Sequence, residues 1–205
     1  MSRNVWYFSD DTPFHGVLGS INVKGLGADH IYGTRDDHRR TFSTGAFGSH
    51  DPEGLAFGGG SLWISDGTTG TVYRIDPGPN LKIEGAGTDD IITSLNLSGL
   101  GVTDIEGVEF ANDRLFVVAN QKNADILEID PADGSLIRAF DLSTAGIRHP
   151  SALAYGASSL DPSQKSFYVA DRGLDNNWHP HENDGKIVEL GVAATPPNLI
   201  KNGGF

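Results

Sequence analysis

Two short phrases in the 205-residue sequence set an acid and a glycine at the head of an apolar run: Asp51-Pro52-Glu53-Gly54 before "LAF" and Asp104-Ile105-Glu106-Gly107 before "VEF". A carboxylate can ligate Ca2+ or another hard cation, move a proton, or accept backbone N–H groups in a turn. Three more polar residues close apolar runs at matching places: Asp66 in "ISD", Asn120 in "VAN" and Asp171 in "VAD". The oxygens of Glu, Asp and Asn suit Ca2+ or another hard cation. The competing reading is structural, since a feature that recurs unit by unit serves a fold more often than one asymmetric catalytic centre. In the third unit His149-Pro150-Ser151-Ala152 stands where the acidic phrase should be.

Two further groups carry chemistry. Glycine-rich segments end in paired acids, Asp36-Asp37 after "IYGTR" and Asp89-Asp90 after "EGAGT", and either bind Ca2+ or form solvated hairpins. Neighbouring side chains on a strand point opposite ways, so both acids of a pair reach one ion only if the chain turns there. The segment "DRGLDNNWHPHENDG" holds Asp175, His179, His181, Glu182 and Asp184 between two apolar runs. His179 and His181 share a face if extended and could share an ion. The competing and preferred reading is a polar loop with Trp178 packed on a neighbouring blade and its Asp and Asn side chains capping turns.

The elements that position these residues come from a repeat. Residues 39–77, 91–131 and 137–192 align, each with four short apolar runs; in the first they are "TFSTG", "GLAF", "SLWIS" and "TVYRID". Glu53 and Glu106 are 53 residues apart, and Glu106 and Ser151 are 45 apart. Asp37 precedes Glu53 by 16 residues, and Asp90 precedes Glu106 by the same 16. Four strands per roughly 50 residues is the period of a β-propeller blade. One blade cannot bury both its faces and must stack on neighbours. At the N-terminus "NVWYFSDD" matches "SLWISD" and "GVLGSINV" matches the run after it. The expected fold is therefore all-β, a propeller of four-stranded antiparallel blades, about three and a half in number. The units are a half blade over 1–35 and blades over about 36–86, 87–135 and 136–192. A Pro-rich linker and the start of a further module follow over 193–205. An incomplete ring leaves an apolar flank, so the expectation is that the chain is a fragment, gains strands from its C-terminus, or self-associates.

Composition agrees. Gly is abundant at 27 and Met occurs once, as suits many tight turns. The chain has no Cys, which excludes disulfides, thiolate metal sites and a Cys nucleophile. A net charge of −12 argues against nucleic acid and anionic membrane surfaces. No apolar run is long enough to span a bilayer, and Met1–Asp11 lacks the basic and apolar segments of a signal peptide. P-loop, GxSxG, HExxH and dinucleotide motifs are absent.

The repeat and the phrases "DPEG" and "DIEG" resemble bacterial propellers of the SMP-30/NHL-like group, and more narrowly the esterase-like, phytase-like and SdiA-regulated propellers. The ending "DRGLDN…ENDGKIVEL" adds to that resemblance, which spans residues 1 to about 192. It implies a central channel with Glu53 and Glu106 near it; in sugar-lactonase relatives such a Glu ligates a metal together with Asn and Asp from other blades, whose equivalents here would be Asp66, Asn120 and Asp171. "NLIKNGGF" resembles the opening strand of jelly-roll modules in secreted bacterial glycan proteins. The expected function is a non-catalytic module of an exported bacterial protein that binds a protein or glycan partner, with Ca2+ as the one cofactor suggested. The alternative is a metal-dependent ester or phosphoester hydrolase built on Glu53, Asp66, Glu106, Asn120 and Asp171.

Overall fold

The computed structural model describes residues 5–14, 16–119, 125–173 and 185–191. Asn120, the loop candidates Asp175, His179, His181, Glu182 and Asp184, and the 193–205 tail lie outside the described residues.

Among the described residues, fourteen strands form four antiparallel sheets. Sheet 1 holds β1 (Val5–Phe14), β2 (Val17–Gly25) and β3 (His38–Ser43). Sheet 2 holds β4 (Pro52–Gly58), β5 (Ser61–Asp66), β6 (Thr71–Asp76) and β7 (Ile91–Asn96). Sheet 3 holds β8 (Ile105–Ala111), β9 (Arg114–Ala119), β10 (Asp125–Ile129) and β11 (Leu136–Asp141). Sheet 4 holds β12 (Pro150–Ala157), β13 (Lys165–Asp171) and β14 (Lys186–Gly191). Strand order follows chain order in every sheet, as hairpin connections require.

Successive sheets stack face to face with β4, β8 and β12 side by side on the inner edge. Three apolar cores fill the three gaps. Ile21, Val23 and Phe42 meet Leu62, Ile64 and Ile75 between sheets 1 and 2. Trp63 and Val72 meet Leu115, Val117 and Ile129 between sheets 2 and 3. Phe116, Val118 and Ile126 meet Leu153, Phe167 and Val169 between sheets 3 and 4. Each such side chain contributes about 1.5–3 kcal/mol by leaving water. Central sheets are covered on both faces, so β5 is buried at all six positions and its sequence, "SLWISD", does not alternate. This is an incomplete β-propeller of about three and a half four-stranded blades.

The sequence units and the sheets are out of phase by one strand. The first apolar run of each unit ("RTFS", "IITSLN", "LIRAFD") is the outer strand of the preceding sheet. The chain then crosses to the next inner strand through a short 3-10 turn, Gly45–Phe47, Ser98–Leu100 or Ser143–Ala145. Each turn stops at a glycine in the left-handed region: Gly48, Gly101 or Gly146. Buried residues plug both sides of two crossings, Leu97 with Val102 and Leu142 with Ile147. Among the described residues sheet 1 consequently has three strands rather than the two expected from residues 1–35. Its β1 matches β5, with Trp6 paired to Lys24 as Leu62 is to Ile75.

Candidate functional site

The acidic phrases sit at the start of the inner strands, in a shared irregularity. The ladder slips between Pro52 and Leu55, between Ile105 and Gly107, and between Pro150 and Ala152. A bulge at that place re-aims the side chains of Glu53, Glu106 and Ser151 away from regular pairing. Gly54 and Gly107 are not there for left-handed dihedrals, since neither has positive φ. They are there for close approach. A Cβ on Gly54 would lie 2.6 Å from the Val108 nitrogen, and one on Gly107 would lie 2.8 Å from the Leu153 nitrogen.

Glu53 is exposed, while the Glu106 side chain is largely buried, with Arg172 Nη1 3.6 Å from its Oε1. Partial burial pushes the Glu53 carboxyl up to about 7, helped by the negative charges of Asp51, Glu106, Asp11 and Asp104. The same end raises Asp51 through burial and then Asp66, Asp11 and Asp104. Six acids thus meet around one end of the inner strands: Asp11, Asp51, Glu53, Asp66, Asp104 and Glu106. Among the described residues no hydrogen bond reaches the Glu53 carboxylate.

Asp66 has the opposite surroundings. It is fully buried at the end of β5. Its Oδ2 accepts hydrogen bonds from Ser49 Oγ (2.9 Å), His50 N (3.1 Å) and Asp51 N (3.2 Å). Its Oδ1 accepts from the backbone nitrogens and hydroxyls of Thr68 and Thr69 at 2.8–3.1 Å. Burial alone would raise its pKa, but these bonds outweigh burial and hold the carboxyl below its ordinary value. Asp171 repeats the device, accepting from Arg148 N (3.2 Å), His149 N (3.0 Å) and Gly173 N (3.3 Å), with Lys186 Nζ 3.7 Å away. Both acids anchor the segment that leads into the inner strand beside them. Of the expected cation set, Glu53 and Glu106 come together electrostatically, whereas Asp66 is occupied by backbone and hydroxyl donors and Asp171 by backbone donors.

The paired acids of the hairpins also turn inward. Asp36 accepts from Thr34 Oγ1 (2.7 Å) and Asp29 N (3.2 Å), and Asp37 accepts from Gly33 N (2.8 Å). Asp89 accepts from Asn80 Nδ2 (2.8 Å), and Asp90 from Glu84 N (2.6 Å) and Gly85 N (2.7 Å). One oxygen each of Asp37 and Asp90, both Oδ1, is buried with no partner. Among the described residues, no three of His, Asp and Glu are placed to share a metal ion.

Sequence reasoning passed over Asp11, Asp51 and Asp104, although the last two stand two residues before the chosen glutamates. It also missed Arg172 and Glu109. Glu109 is raised by burial, yet its carboxylate accepts Phe110 N (2.9 Å) and, across the gap to sheet 4, Tyr155 N (3.0 Å). Its place inside an apolar run, "VEF", was the available signal.

Solved structures similar to this chain include the following two. One is the glutaminyl cyclase of Myxococcus xanthus, 17% identical over 91% of this chain and 75% of that one, with a TM-score of 0.48. The other is selenomethionine-substituted virginiamycin B lyase from Staphylococcus aureus, 18% identical over 86% of this chain, with a TM-score of 0.45. The chain spans about half of the lyase, 53% of its length. No protein-family model matches, and no curated protein does. Likeness at this level carries nothing about activity.

Proposed function

We propose that this chain is a non-catalytic propeller module of an exported bacterial protein, and that the acid-lined end of its inner strands receives a positively charged group of a partner. The carrying observation is the division of labour among the acids. Asp66 and Asp171 are filled by donors of the fold, while Glu53 is held near neutrality by its own burial and four like charges. An arriving cation relieves that repulsion. The cation is a Lys or Arg of a protein partner, an amino sugar of a glycan, or Ca2+. A metal-dependent hydrolase of the esterase or phytase kind draws support from the meeting of Glu53 and Glu106, but it needs Asp66 and Asp171 as ligands as well.

Calorimetric titration with Ca2+ and with a Lys-rich peptide tests the reading on wild type and on Glu53→Gln. Binding at low salt that weakens in the variant is expected. Heat from neither probe discards the acid-lined end as a binding site. Ca2+-dependent cleavage of a model ester or phosphoester, abolished by Glu53→Gln, would establish the hydrolase instead.

A further inference from the structure

The acid-lined end of the inner strands has a second pole, and the repeat shows where it arises. Sheets 2 and 4 receive the chain through the same backbone frame. Pro52 pairs with Asp66, and Pro150 with Asp171. Asp66 accepts from His50 N and Asp51 N, as Asp171 accepts from Arg148 N and His149 N. Gly67 N donates to the Asp51 carbonyl at 2.9 Å, and Arg172 N donates to the His149 carbonyl at 3.0 Å. Asp51 is therefore equivalent to His149, Glu53 to Ser151 and Gly67 to Arg172.

At these positions the chemistry inverts. Sheet 2 presents two carboxylates and then a residue with no side chain. A Cβ on Gly67 would lie 2.8 Å from Asp51 Oδ2 and 3.1 Å from Glu53 Cγ, so the glycine leaves those acids their room. Sheet 4 presents an imidazole, a hydroxyl and a guanidinium, and no acid. Sheet 3, between them, keeps Asp104 and Glu106. The frame persists from sheet to sheet while the charge changes sign, so the frame does not depend on the charges.

Glu106 joins the two poles. Its charge bears on Glu53, and its Oε1 lies 3.6 Å from Arg172 Nη1. The Glu106 side chain is 10% exposed and the Arg172 side chain 54%. At that distance the pair is a charge contact and not a hydrogen bond, so it does not use up the N–H donors of the guanidinium. Among the described residues no other side chain meets that group. An anchored, half-exposed guanidinium is suited to hold a carboxylate by both oxygens. A bare cation gains nothing from Arg172, which repels it; a ligand with an acid of its own does gain. Resting on the cation reading proposed above, we infer that the group received is zwitterionic, with an ammonium set against Glu53 and Asp51 and a carboxylate of the same ligand on Arg172. Arg172 is then the residue that sets specificity, and Ca2+ is a poor occupant.

NMR titration of the full chain at low salt tests this with glycine, β-alanine, γ-aminobutyrate and ε-aminocaproate, a series of increasing length. Each is compared with its methyl ester, which keeps the ammonium and loses the acid. In wild type at least one amino acid should bind about tenfold tighter than its ester, the scale of one charge-assisted pair. Arg172→Gln should abolish or reverse that preference, while the ester binds as well as before or better because a repelling cation has gone. Arg172→Lys should keep part of it, and Glu53→Gln should weaken amino acid and ester alike. The Arg172 variants alter an exposed side chain and keep the backbone bond to His149, so their melting should match wild type. Esters that bind as tightly as every amino acid in wild type overturn the inference and leave the cation reading standing. So does a preference that survives Arg172→Gln. If neither series binds but a Lys-rich peptide does, this inference falls alone; if nothing binds, both fall.

Discussion

Asp66 and Glu53 are near neighbours, for Asp66 pairs across the ladder with Pro52, the residue before Glu53. They are chemically alike and both recur along the chain, yet they are opposites. Asp66 is enclosed and accepts donors on both oxygens; Glu53 is open to solvent on one side and surrounded by its own charge. The first acid is part of how sheet 2 receives the chain crossing from sheet 1. The second is a liability to the isolated fold. Recurrence alone therefore does not sort structural carboxylates from binding ones, whereas the supply of N–H groups around each does.

The comparison breaks most visibly at Asp66. Asp66→Ala should cost about 3–5 kcal/mol, because several buried donors lose their acceptor together; denaturant melts read this directly. Next comes the glycine beside the other acid. Gly54→Ala should cost about 1–3 kcal/mol by forcing β4 away from β8, while Ala152→Gly on exposed β12 should gain no comparable stability. Asp171→Ala should cost about 1–2 kcal/mol, less than Asp66→Ala, since it frees fewer donors.

The smallest effect is the sharpest discriminator, because the two acids have opposite pH signatures. The native Glu53 holds its proton up to about 7, whereas an unfolded glutamate releases it near 4.5. Its stabilising contribution is thus full below pH 4.5 and is lost as pH rises through about 7. Asp66 is lowered in the native state, so its contribution is present above 3.8 and is lost as pH falls through the lowered value. Glu53→Gln should melt about 1–3 °C above wild type at pH 8 and match it at pH 4. A variant less stable than wild type at pH 8 would place Glu53 among the structural acids.

Much of the fold was legible because stacking imposes a period. The spacing shared by Asp37–Glu53 and Asp90–Glu106 marks real equivalence, down to the hairpin hydrogen bonds of Gly33 and Gly85. The phase was not read, because an apolar run does not say which neighbour it pairs with. The left-handed glycines at 48, 101 and 146 were the missed marker, for they sit where the chain changes sheets. Among site residues, the placing of Glu53 and Glu106 at the heads of inner strands was legible from the strand pattern. The fate of Asp66 was not, since four of its seven donors are the backbone N–H groups of residues 50, 51, 68 and 69, and backbone donors leave no mark in a sequence. Arg172 was hidden for a different reason: its contact with Glu106 joins adjacent sheets and no local spacing encodes it.

The hairpin between β6 and β7 reaches back onto sheet 1, and this bears on the order in which the protein is made. Arg40 emerges from a ribosome 43 and 44 residues before Ile83 and Glu84, which accept its hydrogen bonds, and Phe42 comes well before Gly85, which lies against its ring. Until that later stretch arrives, the first sheet has a bare aromatic ring on its outer strand. A pause in translation over residues 45–80 would thus hold a half-clad nascent chain, the stage at which a holding chaperone has the most to protect.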